Sequence, residues 1–456
     1  MVIEFTKFVD AISCATDFVE AELLHVPHYH EKRVAVLVNK MGQYLDVDKD
    51  VLYAITIAGA MHDCALTEYL QDELSGQDGI RDERNMGAHC RVGEDVMRKY
   101  PFYDKMEGAV LYHHETADGK GVHGLLAGDT PLGARMIHIA DVADNRFRLS
   151  EIDQEKHTEL LDWVKRQEGT LFDSEVVRAF CLAADYDTLV SISGENVIQT
   201  LDEILPPKMM DIPISILRDL SEFFANTTDY KSHFTWRHSL GVAEKAEEMG
   251  RYYGYSEEHC QKLYIAGALH DIGKLLISND ILEKPGRLSP EEYQQIQNHS
   301  TGTWDLLHSI GGMEDIARWS SLHHEKLDGS GYPFGFTADE LGHEERLMAC
   351  IDIYQALVEE RPYKAGLPHG EAMEIIRKMG TAGQLDREII EDVDRCFGGR
   401  TEESAAESST VEEAPEHEGE AWRCPVCGYI LEGPLPEDFI CPRCEQPGTI
   451  FERVSD

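Results

Sequence analysis

The chain is short of positive charge. Its 42 Lys and Arg face 85 Asp and Glu, a formal charge of −43 over 456 residues. That imbalance argues against a nucleic-acid polymer or an anionic membrane surface as the main partner, because both are polyanions. The N-terminus lacks a basic segment followed by an apolar one, so no secretory signal is expected. No uninterrupted apolar run approaches the roughly 18 residues of a membrane helix, so no membrane span is expected. Seven of the eleven cysteines (Cys14, Cys64, Cys90, Cys181, Cys260, Cys350 and Cys396) lack any pairing pattern. Without an export signal they read as buried reduced thiols, and the expected compartment is the cytoplasm. Apolar residues are not scarce: 42% of the chain is hydrophobic, enough for real cores in two or three domains.

What the chain does have is a run of metal-type side chains between His238 and Lys364. In order come His238, His270–Asp271 within HDIGK, His299, HHEKLDGSGYP starting at His323–His324, Asp352, and RPYK. Neutral imidazoles with carboxylates suit Fe, Mn, Zn or Ni. Seven such groups are too many for one ion and about right for two that share a carboxylate. Scattered helix-capping residues would explain any one of them, but not adjacent His-Asp and adjacent His-His, each followed by glycine.

Residues 210 to 395 resemble the HD-GYP family, a branch of the HD phosphohydrolases. HDIGK supplies the name pair, and HHEKLDGSGYP follows the family's HHE-x-x-DG-x-GYP. The resemblance implies a di- or trinuclear metal centre, often of iron, that hydrolyses cyclic di-GMP. By position it implies His238, His270, Asp271, His299, His323, His324 and Asp352 as ligands, with Asp271 bridging and acting in catalysis. Lys274, which also joins the catalytic set, Arg361 and Lys364 would hold the phosphates. Members with three metals carry a Glu four residues before the first ligand His. Phe234 stands there, so two ions, iron or manganese, are expected.

The same pattern occurs twice. At an offset of 208 residues, His30 falls on His238 and IAGAMHD at 57–63 falls on IAGALHD at 265–271. His89 and His113 are 24 residues apart, as are His299 and His323; HHETADGKG at 113–121 repeats HHEKLDGSG, and Asp141 repeats Asp352. This is a tandem duplication. The first copy keeps His30, His62, Asp63, His89, His113, His114 and Asp141, which predicts a second dinuclear centre. It lacks the phosphate-holding cations: Leu66 replaces Lys274, Ser150 and Asp153 fall where Arg361 and Lys364 would, and Gly121-Val122-His123 replaces GYP. A phosphodiester needs cations, so a sensor or a different small substrate is expected there.

Residues 151 to 204 read as helices without a motif, and Pro206–Pro207 marks the end of the first unit. Residues 401–420 hold eight glutamates and no Lys or Arg, which predicts a flexible acidic linker. Beyond it, Cys424, Cys427, Cys441 and Cys444 form two CxxC knuckles, a tetrahedral thiolate site for iron or zinc. With Trp422, Tyr429, Phe439 and Phe451 around it, this segment resembles the rubredoxin-like module of rubrerythrins, which binds one redox-active iron.

The expected architecture is all-α: an HD domain over 1–205, an HD-GYP-like domain over 206–400, the linker, and a rubredoxin-like domain over 421–456. The expected activity is a metal-dependent phosphodiesterase with a dinuclear site, acting on the cyclic di-GMP that the resemblance implies, with a tethered electron carrier, fed by an electron donor, that makes it redox-regulated. The alternatives are an HD-type di-iron oxygenase or redox sensor, and an HD nucleotidase acting on another phosphate ester.

Overall fold

A computed structural model of the chain describes residues 1–24, 27–66, 86–231, 238–282, 284, 286–359, 365–398, 421–423, 430–432 and 452–454. Two helical units follow one another. The first holds β1 (Val2–Glu4), α1 (Phe5–Leu24), α2 (His30–Tyr44), α3 (Lys49–Ala60), α4 (Met86–Met97), α5 (Leu132–Phe147), α6 (Gln154–Arg166), α7 (Ser174–Ala183), α8 (Tyr186–Ser191) and α9 (Asn196–Ile204). The second holds β2 (Met209–Asp211), α10 (Ile214–Lys231), α11 (His238–Tyr252), α12 (Glu257–Leu269), a 3-10 turn (Ile272–Leu276), α13 (Asn279–Leu282), α14 (Pro290–Leu307), α15 (Glu314–Ser321), α16 (His343–Val358), α17 (His369–Thr381) and α18 (Arg387–Phe397). Three short strands, β3 (Ala421–Arg423), β4 (Ile430–Glu432) and β5 (Glu452–Val454), form an antiparallel sheet in the order β4-β3-β5. Among the described residues no helix is long and apolar enough to cross a membrane.

Local chemistry accounts for the helix ends that aim the site residues. Ser289 accepts from Glu292 N while the Glu292 carboxylate accepts from Ser289 N, a capping box with Pro290 at the first helical position. It starts α14, which delivers His299. Ser256 caps α12 and Asp48 caps α3. Both of these helices end at the His-Asp pair of their copy. The small residues along α12 allow it to lie almost against α11: a Cβ on Gly267 would sit 2.7 Å from Ala243 Cα. Gly273 is required by space and not by backbone conformation. Its φ is ordinary, but a Cβ there would lie 2.0 Å from the carbonyl oxygen of His299. Only glycine lets the 3-10 turn pack this closely on α14.

The sequence predicts one helix over 1–24, but Val2–Glu4 form a strand. It pairs antiparallel with β2 in the register Val2↔Asp211, Ile3↔Met210, Glu4↔Met209. Each strand directly precedes the first helix of its copy. Further bonds tie this ribbon in place: Glu4 N donates to Gly311 O at 2.8 Å and Ile212 N to Met1 O at 2.9 Å. Helix α1 then reaches the second unit, where Glu22 accepts from Ser278 Oγ and Asn279 N, both at 2.7 Å, and pairs with Lys231 Nζ at 3.2 Å. Phe5, Val34, Ile57, Val242, Leu263 and Leu347 belong to one continuous buried core that spans both units.

Candidate metal centres

In the second copy the seven expected ligands converge from α11, the end of α12, α14, the segment after α15, and α16. His238 Nε2 lies 3.1 Å from Asp352 Oδ1, and His270 Nε2 lies 3.8 Å from the same oxygen. His299, His323 and His324 make a second group, with His299 Nε2 3.4 Å from His323 Nε2. Asp271 stands between the groups: its Oδ2 is 3.1 Å from His270 Nε2 and its Oδ1 is 3.3 Å from His299 Nε2. One carboxylate thus faces both clusters, one oxygen to each. Lys274 Nζ forms an ion pair with Asp271 Oδ2.

The rings are held so that Nε2 faces inward. Nδ1 of His270, His299 and His323 lies 2.8, 2.6 and 2.6 Å from the carbonyl oxygens of Gly267, Ile296 and Ser320. His238 Nδ1 instead meets Glu359 Oε2 at 2.7 Å. Donation from Nδ1 fixes the tautomer that leaves Nε2 free to bind a cation. Burial pushes His299 down to about 3 and holds His323 and His324 below the ordinary imidazole value, so all three are neutral donors. Burial opposes the charge on Asp271 and Asp352, but neighbouring imidazoles, and Lys274 beside Asp271, keep both ionised. His238 goes the other way: burial lowers it, yet Asp352 and Glu359 push it up to about 10.

This donor set fits metal ions. The buried Nε2 atoms of His30, His62 and His270 and the buried Oδ1 of Asp63 make no hydrogen bond. A buried polar atom left so costs about 1–3 kcal/mol, a cost that coordination would offset.

The first copy repeats the geometry closely. His30 Nε2 is 3.3 Å from Asp141 Oδ1, His62 Nε2 is 3.5 Å from Asp63 Oδ2, and His89 Nε2 is 3.3 Å from Asp63 Oδ1. His113 and His114 rings sit 4.0 Å apart, against 4.1 Å for His323 and His324. The surroundings differ. Leu66 occupies the place of Lys274. His30 Nδ1 meets Asp144 Oδ2 at 2.6 Å, and Arg33 grips the same carboxylate at 2.8 and 2.9 Å. Two further buried acids, Glu20 and Glu31, lie in the same electrostatic neighbourhood; burial holds both well above the usual carboxylate range.

Several positioning residues carried no sequence signal of their own. Glu325 accepts from the backbone N–H of Phe334, Gly335 and Phe336 at 2.7, 3.1 and 3.0 Å, which folds the DGSGYP loop back over the site. Glu115 does the same in the first copy through His123 N and Leu125 N. Tyr332 then faces His324, ring centroids 4.7 Å apart. The third letter of each HHE is the only hint of this. Glu359 and Asp144 have none, because their partners are reached only through helix packing. Cys90, which reads as a buried core thiol in the sequence, lies beside His89, 3.5 Å from its Nε2. Arg361, Lys364, Phe234, the linker 401–420 and Cys424, Cys427, Cys441 and Cys444 lie outside the described residues.

Comparison with known proteins agrees with this picture. A family model described as HD domain matches residues 19–176 and 213–389, and one described as rubrerythrin, rubredoxin-like domain matches 422–452. A 3'3'-cGAMP-specific phosphodiesterase 1 of Vibrio cholerae is 28% identical over 391 residues, 84% of this chain and 90% of its own. The 3'3'-cGAMP-specific phosphodiesterase 3 of the same organism is 31% identical over 64% of this chain and 63% of its own. A cyclic di-GMP phosphodiesterase of Pseudomonas aeruginosa is 30% identical over 44% of this chain and 49% of its own. The crystal structure of a cyclic GMP-AMP-specific phosphodiesterase of Vibrio cholerae superposes with a TM-score of 0.60 at 22% identity, covering 86% of this chain and 97% of the other, which fixes the fold. With two matched segments that together cover most of its length, the chain belongs to the HD domain family.

Proposed function

We propose that the second copy is a metal-dependent phosphodiesterase that opens a cyclic dinucleotide, with cyclic di-GMP as the substrate. The observation that carries this reading is Asp271, whose two oxygens face two separate ligand clusters while Lys274 pairs with it at the edge of the site. His238, His270 and Asp352 would hold one ion, His299, His323 and His324 the other, and Asp271 would bridge them. Two ions there would supply Lewis acidity and lower the pKa of water to make a nucleophile at neutral pH.

The chain's own groups do the rest. Lys274 brings a positive charge to a non-bridging phosphate oxygen, and burial in the site strengthens that interaction. Arg361 and Lys364 take the same role from the sequence after α16. Glu325 fixes the loop so that Tyr332 walls the site against His324. The relatives aligned over most of this chain are named for 3'3'-cGAMP, and one aligned over less than half is named for cyclic di-GMP. Both dinucleotides therefore belong in the test panel.

The first copy, on this reading, holds metal but cleaves no phosphodiester. Its ligands match the second copy, but Leu66 replaces the lysine, so the cation that would meet a phosphate is missing. The rubredoxin-like match at 422–452 supports a further metal site there; on this reading it holds iron and sets the oxidation state of the two centres, and with it the activity.

The test is hydrolysis of cyclic di-GMP, 3'3'-cGAMP and a mononucleotide by anaerobically purified protein, reduced and oxidised. Turnover of a cyclic dinucleotide that Lys274→Ala lowers at least 100-fold supports the reading. Turnover of mononucleotides alone, or O2 consumption without dinucleotide cleavage, refutes it. Equal activity in both oxidation states removes the redox control.

A further inference from the structure

The two metal centres differ in one atom that neither the motifs nor the relatives' names assign. In the second copy the residue after His299 is Ser300, whose hydroxyl lies 3.2 Å from His299 Nε2. In the first copy the residue after His89 is Cys90. Its sulfur lies 3.5 Å from His89 Nε2, and it is 1% exposed. One ligand atom from each of His89, Cys90, His113 and His114 lies within 4.8 Å of the others.

Two of the edges match those of a coordination polyhedron. A tetrahedral ion with metal–nitrogen bonds of about 2.1 Å and a metal–sulfur bond of about 2.3 Å has N···N edges of about 3.4 Å and N···S edges of about 3.6 Å. The structure gives 3.5 Å between His89 Nε2 and His113 Nε2, and 3.5 Å between Cys90 Sγ and His89 Nε2. The sulfur also lies 3.8 Å from His113 Nδ1, which is itself 2.6 Å from Val110 O, so the thiol is packed against the ligand ring as well as the ligand cage. On the adjoining wall, His62 Nε2 and Asp63 Oδ1 are buried without a hydrogen bond. These two atoms belong to the same centre, so the cysteine is not an isolated thiol.

We propose that Cys90 is a ligand of the first-copy metal centre. The inference rests on that copy holding metal, as read above. As the metal–sulfur bond forms, the thiol S–H breaks and its proton leaves to solvent. The centre then has a soft donor that the second copy lacks, and it takes a thiophilic divalent ion, Zn2+, Fe2+ or Co2+, in preference to Mn2+. The thiolate also adds a negative charge in the copy where Leu66 has replaced Lys274, which deepens the exclusion of a phosphodiester.

The experiment uses the full chain, stripped of metal and reloaded anaerobically with Co2+. Cys90→Ser copies the residue that the second copy tolerates. Its loss should remove about one fifth of the sulfur-to-cobalt charge-transfer intensity, one thiolate among five when the four knuckle cysteines are counted. Identical spectra at equal cobalt content would overturn the proposal. If the variant fails to fold or load, the wild-type chain loaded with 113Cd decides. A resonance between the all-sulfur knuckle signal and the sulfur-free second-copy signals supports a one-sulfur site, and the absence of any such resonance refutes it. Failure of the underlying reading looks different. If the first copy holds no metal, His62→Ala leaves the total metal content of the chain unchanged, and both ideas fall together.

Discussion

Replacing Gly273 with alanine tests how the second-copy site is assembled. The new Cβ would lie 2.0 Å from His299 O, 2.5 Å from Thr303 N and 2.9 Å from His299 C, all backbone atoms. Relief to an ordinary contact of about 3.4 Å requires the 3-10 turn and α14 to part by about 1.4 Å. The turn follows directly on Asp271 and carries Lys274, and α14 carries His299. The displacement therefore opens the 3.3 Å contact between Asp271 Oδ1 and His299 Nε2 that joins the two ligand clusters. It also strains the bond from Gly273 N to Thr303 Oγ1, 3.0 Å, and that from Thr303 Oγ1 to His270 O, also 3.0 Å. Overpacking of this kind costs about 1–3 kcal/mol of stability. A misplacement of about 1 Å costs about 100-fold in rate, near 2.7 kcal/mol of barrier. The expected result is a folded Gly273→Ala protein, slightly less stable, with kcat/KM for the cyclic dinucleotide down about 100-fold and less metal in the second copy. Gly370→Ala is the control, since a Cβ there meets nothing within 4 Å and its φ is ordinary. Gly273→Ala protein with activity and metal content within twofold of wild type would refute the reasoning.

Removing the carboxylate that faces both clusters with Asp271→Asn should abolish turnover and lower metal content, measured by elemental analysis, whereas Lys274→Ala should lose turnover and keep its metal. His238 is pushed up to about 10, so below that value metal binding must displace its proton. Apparent metal affinity should therefore rise with pH, about tenfold per unit across neutrality for one proton released, and a flat titration with a metal-indicator dye would contradict this. Glu22→Ala should destabilise the chain by about 2–3 kcal/mol in denaturant titration, because it leaves Lys231, 0% exposed, without its carboxylate. Adding Lys231→Met should recover more than half of that loss; no recovery would mean that the ion pair is not the cause.

The parts of this molecule legible in its sequence are those set by local chemistry. The capping box at Ser289 and Glu292 lies within one turn of helix, so Ser289, Pro290 and Glu292 announce it together. The candidate ligands are readable because duplication prints the same spacing twice, and the structure brings the described ones together in groups in each copy. What could not be read depends on contacts between distant segments. Val2–Glu4 looks like the start of a helix because its partner strand is more than 200 residues away. Glu22 looks like a surface residue until Ser278 and Asn279 are placed against it. Gly273 gives no sign of its role in the sequence, since the carbonyl that forbids a side chain there belongs to another helix. Cys90 passed as a core thiol because burial, taken alone, is the ordinary state of cysteine.

The β1–β2 ribbon bears on how two such different sites can stay together. Equivalent strands meeting antiparallel is the contact that a two-fold symmetric homodimer makes with itself. Here both partners belong to one polypeptide, so their association does not weaken on dilution and neither half can exchange into another pair. A dimer of identical subunits must place every substitution on both sides of its axis. This chain is free of that constraint: Leu66 could replace a lysine on one side while Lys274 stayed on the other, at a fixed ratio of one site of each kind per molecule.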